Sequence, residues 1–177
     1  MKLNYIPLTE NYHHYAKLKH LFEHAFPAIE RPPFSVLISF KKDQIFGAEL
    51  QGQFVGLISY VIKDDLLYLF FLAVKKKYRV QGIGSQIIRD IFTEYPDKRI
   101  FLLAEDPSIP SENQEERKNR INFYQRNGLF MGPVRVNEYE VEYALLDNHS
   151  NVGKNDFLSV MEYLLEDYYP IYRNNVH

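Results

Sequence analysis

The stretch Leu66–Val74, Leu-Leu-Tyr-Leu-Phe-Phe-Leu-Ala-Val, constrains this chain more than any other. Nine residues pass without a charge, and the only polar group is one phenol. A strand with one wet face alternates apolar and polar residues; this one does not, so it reads as a strand buried on both faces. Lys63-Asp64-Asp65 turns the chain into it, and the basic triplet Lys75-Lys76-Lys77 leads out.

The elements around it follow from periodicity. Residues 2–8 alternate weakly, as a first strand. Residues 10–25 carry Tyr15, Leu18, Leu21, Phe22 and Ala25 at helical spacing, with Thr9 as N-cap and Pro27 as the stop. A short helix is expected within 33–42. Strands at 44–50 and 53–63 flank the tight turn Gln51-Gly52-Gln53. Short links between the three strands imply an antiparallel meander. A helix at 82–95 shows Ile83, Ile87, Ile88, Ile91 and Phe92 on one face, and an apolar strand follows at 98–104. A strand-helix-strand crossover of that length implies parallel pairing. After a Pro- and Ser-rich loop at 105–113 come a charged helix at 114–127, closed by Asn127-Gly128, and two strands within 129–146. Glu138, Glu140 and Glu142 are expected on a wet face. A polar linker at 147–153 leads to an amphipathic helix at 154–168, with Phe157, Val160, Met161, Leu164 and Leu165 inward. The fold class is α+β: a mixed, mostly antiparallel central sheet flanked by helices. One domain spans 1–147, and 148–177 is a helical extension packed on it.

Composition removes several classes of function. The chain has 177 residues, enough for one sizeable core, with 46% hydrophobic and 25% charged residues. A net charge of −2 gives no general pull toward nucleic acid. Without cysteine there is no disulfide, thiolate nucleophile or cysteine zinc site. No apolar run reaches the roughly 18 residues of a membrane span, and Met1–Pro7 lacks a signal-peptide apolar core. A cytoplasmic protein with no membrane partner is the expectation.

Chemistry enters where the buried strand ends. Arg79-Val80-Gln81-Gly82-Ile83-Gly84 follows the basic triplet and opens a helix. The first amides of a helix have no partner inside it and carry partial positive charge. Glycines let a phosphate approach them, so the segment suits a pyrophosphate. Glycines that merely shape a strand-to-helix turn are the plain competitor. A sharper one is a nicotinamide-dinucleotide fingerprint, with Glu105 about 20 residues on as the ribose acid. Ile87 at the third glycine position and the preceding meander count against it.

The segment Arg79–Gly84 resembles the [Gln/Arg]-x-x-Gly-x-[Gly/Ala] signature of the GNAT superfamily of N-acetyltransferases. About 40 residues later, Asn122-Phe123-Tyr124-Gln125-Arg126-Asn127-Gly128-Leu129-Phe130 resembles the second signature of that family, and the element order matches over roughly residues 2–146. The resemblance implies acetyl-CoA as cosubstrate and no metal. Backbone groups of Leu72, Ala73 and Val74 would pair with the pantetheine arm as an added strand does. Amides of Arg79, Val80, Gln81, Gly82, Ile83 and Gly84, beside Ser85, would hold the pyrophosphate. Tyr124 would protonate the leaving thiolate. The chain departs from the family at Asp106-Pro107-Ser108, where many members carry Asn, and at Arg120, where they carry a small residue.

Direct transfer to an amine also needs a proton acceptor and an oxyanion donor. Glu105 is the first choice of base, because apolar walls would raise its basicity; an ion pair with Arg117 or Arg120 is the competing reading. Glu49 is the second choice, against a solvated strand position. His20 and His24, four apart, lack the carboxylate spacing of a zinc hydrolase helix. Tyr163, Tyr168, Tyr169 and Tyr172 would cover the substrate cleft or form a homodimer surface. The expected enzyme is an N-acetyltransferase acting on a small-molecule or peptide amine. A non-catalytic acyl-CoA sensor is the alternative.

Overall fold

A computed structural model describes residues 1–149 and 151–177. Ser150, inside the linker expected at 147–153, lies outside the described residues. In chain order the elements are β1 (Asn4–Pro7), α1 (Tyr15–Ala25), α2 (Phe34–Leu37), β2 (Asp43–Leu50), β3 (Gln53–Lys63), β4 (Leu66–Val74), α3 (Ile83–Glu94), β5 (Arg99–Glu105), α4 (Gln114–Arg126), β6 (Phe130–Glu138), β7 (Val141–Asp147), α5 (Lys154–Leu165) and α6 (Tyr169–Arg173). Short 3-10 segments occupy Ala28–Glu30, Lys76–Gln81 and Glu166–Tyr168. The strands form one sheet in the order β1-β2-β3-β4-β5-β7-β6. Pairing is antiparallel for β1–β2, β2–β3, β5–β7 and β6–β7, and parallel for β4–β5. The parallel pair is the one joined through a helix, as the crossover length requires. No helix among the described residues is long and apolar enough to cross a membrane.

The chain divides into two compact units, residues 1–61 with 69–96 and residues 62–68 with 97–177. In the first, Leu18 and Phe22 of α1, Phe34 and Leu37 of α2, and Phe54, Leu57, Phe71 and Ala73 share a core. Phe71 packs edge-on against Phe22 and Phe26, with ring centroids 5.0 and 4.9 Å apart. Helix α3 buries Ile83, Ile87, Ile88 and Ile91. Tyr5 donates to Asp90 at 2.6 Å. Helix α1 starts later than the spacing predicts: His14 is the N-cap, not Thr9. The Thr9 carbonyl instead accepts from Tyr12 N, and the Tyr12 carbonyl from Tyr15 N. Burying the Tyr12 ring bends the chain through these turns before the helix can begin.

In the second unit, α5 buries Phe157, Val160, Met161 and Leu164. The helix expected to run to residue 168 stops at Leu165, where Glu166 takes φ +49. Pro170 explains the break: its ring would clash with the carbonyl four residues back in a continuous helix. Glu138 is not on a wet face as its alternation suggested. Its Oε1 accepts from the Tyr172 hydroxyl at 2.6 Å, and burial pushes its carboxyl above the usual range against that hydrogen bond. Glu140 sits in the β6–β7 turn at φ +69. Residues 175–177 lie along β6: Asn137 and His177 exchange two backbone hydrogen bonds of 2.9 Å, and Tyr139 N donates to Asn175 O.

Candidate active site

In the first unit, the buried strand and the glycine segment are continuous. None of the nine β4 residues is exposed. Gly56 of β3 lies so close that a Cβ there would stand 2.6 Å from the Ala73 carbonyl oxygen. Lys75 N donates to Val55 O, and the chain then leaves the sheet. The Lys75 and Lys77 ammonium groups lie 5.8 and 4.7 Å from the Phe54 and Tyr78 ring centroids. Arg79 Nε donates to Val74 O at 3.2 Å and Gln81 Nε2 to Lys77 O at 3.1 Å, so both side chains bind their own loop.

Gly82 ends the 3-10 segment and caps α3 at φ +74, a region that disfavours a side chain. No atom lies within 4 Å of where its Cβ would be. Val80 is 95% exposed and has no packing role. Ile83 is fully buried, which leaves only its backbone for a ligand. The amides of Lys76–Gln81 lie in a 3-10 segment, while the first amides of α3, from Ile83 on, have no acceptor inside that helix; such an open helix start suits an anion. Ile87 fills core volume where a dinucleotide fold needs its third glycine.

In the second unit, Glu105 ends β5 with 3% exposure. The apolar walls expected around it are replaced by two guanidiniums. Arg117 Nη2 lies 2.5 Å from Oε1, and Arg120 Nη1 lies 3.0 Å from Oε2. The ion-pair reading therefore holds, with both named arginines at once. Asp106 is buried beside it. Burial opposes its ionisation, but hydrogen bonds from Ser108 and from Arg135 outweigh that and hold its carboxyl below the usual range. No spacing in the sequence links Asp106 to Arg135.

Tyr124 is half-buried on α4, edge-on to Phe123 at 5.2 Å. Burial pushes its hydroxyl above the usual phenol range, and Arg120, one helical turn earlier, opposes the shift. The helix ends two residues later: Tyr124 O accepts from Asn127 N and Leu129 N. In the first unit Glu49 corrects its expectation. It is 5% exposed rather than solvated, and it accepts a 2.9 Å hydrogen bond from the Tyr12 hydroxyl. Gly47, Ala48 and Glu49 are buried in succession because both faces of β2 are covered here, the Gly47 and Glu49 face by the Tyr12 ring.

The family model for GNAT acetyltransferases matches residues 15–129. The chain belongs to this family. It is an acyltransferase by that membership, and the seven-stranded sheet is the GNAT fold. No curated protein matches it in sequence. Among solved structures, a Bacteroides thetaiotaomicron protein assigned to the GNAT family is 20% identical, with a TM-score of 0.70, over 97% of this chain and 98% of that one. The Escherichia coli ribosomal-protein-S18-alanine N-acetyltransferase is 15% identical, with a TM-score of 0.61, over 87% and 98%. A GNAT acetyltransferase from Elizabethkingia anophelis, whose structure holds acetyl-CoA, is 14% identical, with a TM-score of 0.59, over 82% and 96%. These likenesses bear on the GNAT fold.

Proposed function

We propose that this GNAT enzyme moves an acetyl group from acetyl-CoA to a primary amine of a small molecule or peptide, in the cytoplasm. The observation that carries the reading is the Gly82-capped, open start of α3, joined by one basic 3-10 segment to β4, a strand with no exposed residue. Amides of Arg79–Gly84, beside Ser85, take the pyrophosphate. Backbone groups of Leu72, Ala73 and Val74 pair with the pantetheine arm, and a backbone N–H there polarises the thioester carbonyl.

The amine attacks in its neutral form. A free lysine amine titrates near about 10.4, so a proton must be taken up at neutral pH. The carbonyl carbon becomes tetrahedral, its oxygen takes the charge, and collapse expels the thiolate. Tyr124 gives that thiolate a proton; its burial keeps the phenol protonated for the purpose. Glu105 takes the amine proton, directly or through water, as it releases one of its arginines; until then it ties Arg117 and Arg120 of α4 to the end of β5.

Calorimetry with acetyl-CoA tests the cosubstrate, with saturable binding expected. An absence of binding at about 1 mM ligand, a very weak limit, would sink it. Thiol release across a panel of amines then tests transfer. Binding without release from any amine would point to the acyl-CoA sensor instead.

A further inference from the structure

We propose that His13, His14 and Glu49 form a binding site for a divalent transition metal of the zinc class. One donor atom from each of the three lies within 4.8 Å of the others, and among the described residues no other group of three such side chains does so. Two imidazoles and a carboxylate are a donor set that zinc accepts, with a fourth position left to water.

The supporting contacts are of the kind metal ligands need. Glu49 is buried, and the Tyr12 hydroxyl donates to its Oε1 at 2.9 Å, which fixes the carboxylate. His14 Nε2 stands 3.2 Å from the Gly52 carbonyl, so the proton sits on that nitrogen. The lone pair is then on Nδ1, where the Lys17 ammonium stands 3.3 Å away. An exposed cation thus already faces the His14 lone pair, and a metal ligated there would displace it. Hydrogen bonds that set tautomer and carboxylate orientation are the usual outer support of ligating groups. His13 Nε2 lies 3.3 Å from Glu49 Oε1, and the His13 side chain is 60% exposed, which opens the site to solution. The start of α1 disfavours a cation, and the charge of Glu49 offsets this.

The sequence expectation of no metal weighed the other pair, His20 and His24. Their ring centroids lie 3.9 Å apart, tilted by 34°, but His24 Nδ1 is engaged by the His20 carbonyl at 2.7 Å. The 13–14 pair gains its third ligand because β2 brings the buried Glu49 under Tyr12, beside the turn that leads into α1.

The test uses the tag-free full chain, with Zn²⁺ followed by calorimetry and Co²⁺ by visible absorption. Uptake of one cation per chain is expected. Tyr12→Phe, which removes only a hydroxyl, should weaken it about tenfold, and His13→Ala or His14→Ala by more. The double variant His20→Ala/His24→Ala should bind as wild type does. Zn²⁺ should raise the Tm of wild type but not of His13→Ala/His14→Ala. No Zn²⁺ uptake at about 1 mM, or uptake unchanged in that double variant, would overturn the site. None of these readouts depends on acetyl transfer.

Discussion

The segment at residues 75–84 and the cluster around Glu105 are made in different ways. The first is made of backbone: a left-handed glycine, the opening turn of α3, and side chains folded back on their own loop. The second is made of side chains: a buried carboxylate held by two guanidiniums, with a tyrosine one turn further along the same helix. A backbone cradle tolerates changes of side chain but not of conformation. A charge network tolerates neither partner's loss, because it leaves an uncompensated charge in a poorly solvated place.

The largest effect is expected from Glu105→Gln. Two arginines lose their counter-charge, and stability measured by chemical denaturation should fall by about 3–5 kcal/mol. A loss below about 1 kcal/mol would mean the pair behaves as a surface bridge. Tyr124→Phe should leave stability nearly unchanged and lower kcat about 100-fold, with KM for acetyl-CoA little altered. Unchanged turnover would remove Tyr124 from the mechanism. Because Tyr124 titrates above the usual phenol range, activity should not fall on its account until pH exceeds about 10.

Smaller effects are expected on the backbone side. Gly56→Ala forces β3 away from the Ala73 carbonyl and should cost about 1–3 kcal/mol, with weaker acetyl-CoA binding. Gly82→Ala meets no neighbour but must hold φ +74, at about 1 kcal/mol, and its Kd for acetyl-CoA should rise. Gly82→Asn, which tolerates that region better, should recover part of the loss. If alanine and asparagine bind alike, conformation is not what the cradle depends on.

The same contrast decides what could be read from sequence. Strands β3 and β4 fall where periodicity places them, because Gln51-Gly52 and Asp64 take the positive φ angles of tight turns. The parallel β4–β5 pair followed from crossover length alone. The glycine-capped start of α3 was legible for a related reason: glycine, helix start and basic lead-in are neighbours in the chain. The Glu105 network was half legible. Arg117 and Arg120 were nameable as partners, but not that both would bind at once. Glu49 was misread because Tyr12, 37 residues away in the chain, covers its face of β2, a contact that no period-two pattern shows. The late start of α1 and the break before α6 depend on where Tyr12 packs and on Pro170, a tertiary fact in the first case and an overlooked local one in the second.

The pairing of residues 175–177 with β6 bears on how this protein behaves in company. β6 stands at the end of the strand order, and a bare outer strand recruits strands from other molecules. The short backbone strap from Asn175 to His177, with Val176 fully buried, takes up hydrogen-bonding groups on Asn137 and Tyr139. Removing those three residues should turn a monodisperse sample into one prone to sheet-to-sheet aggregation, visible by light scattering well before the fold itself melts.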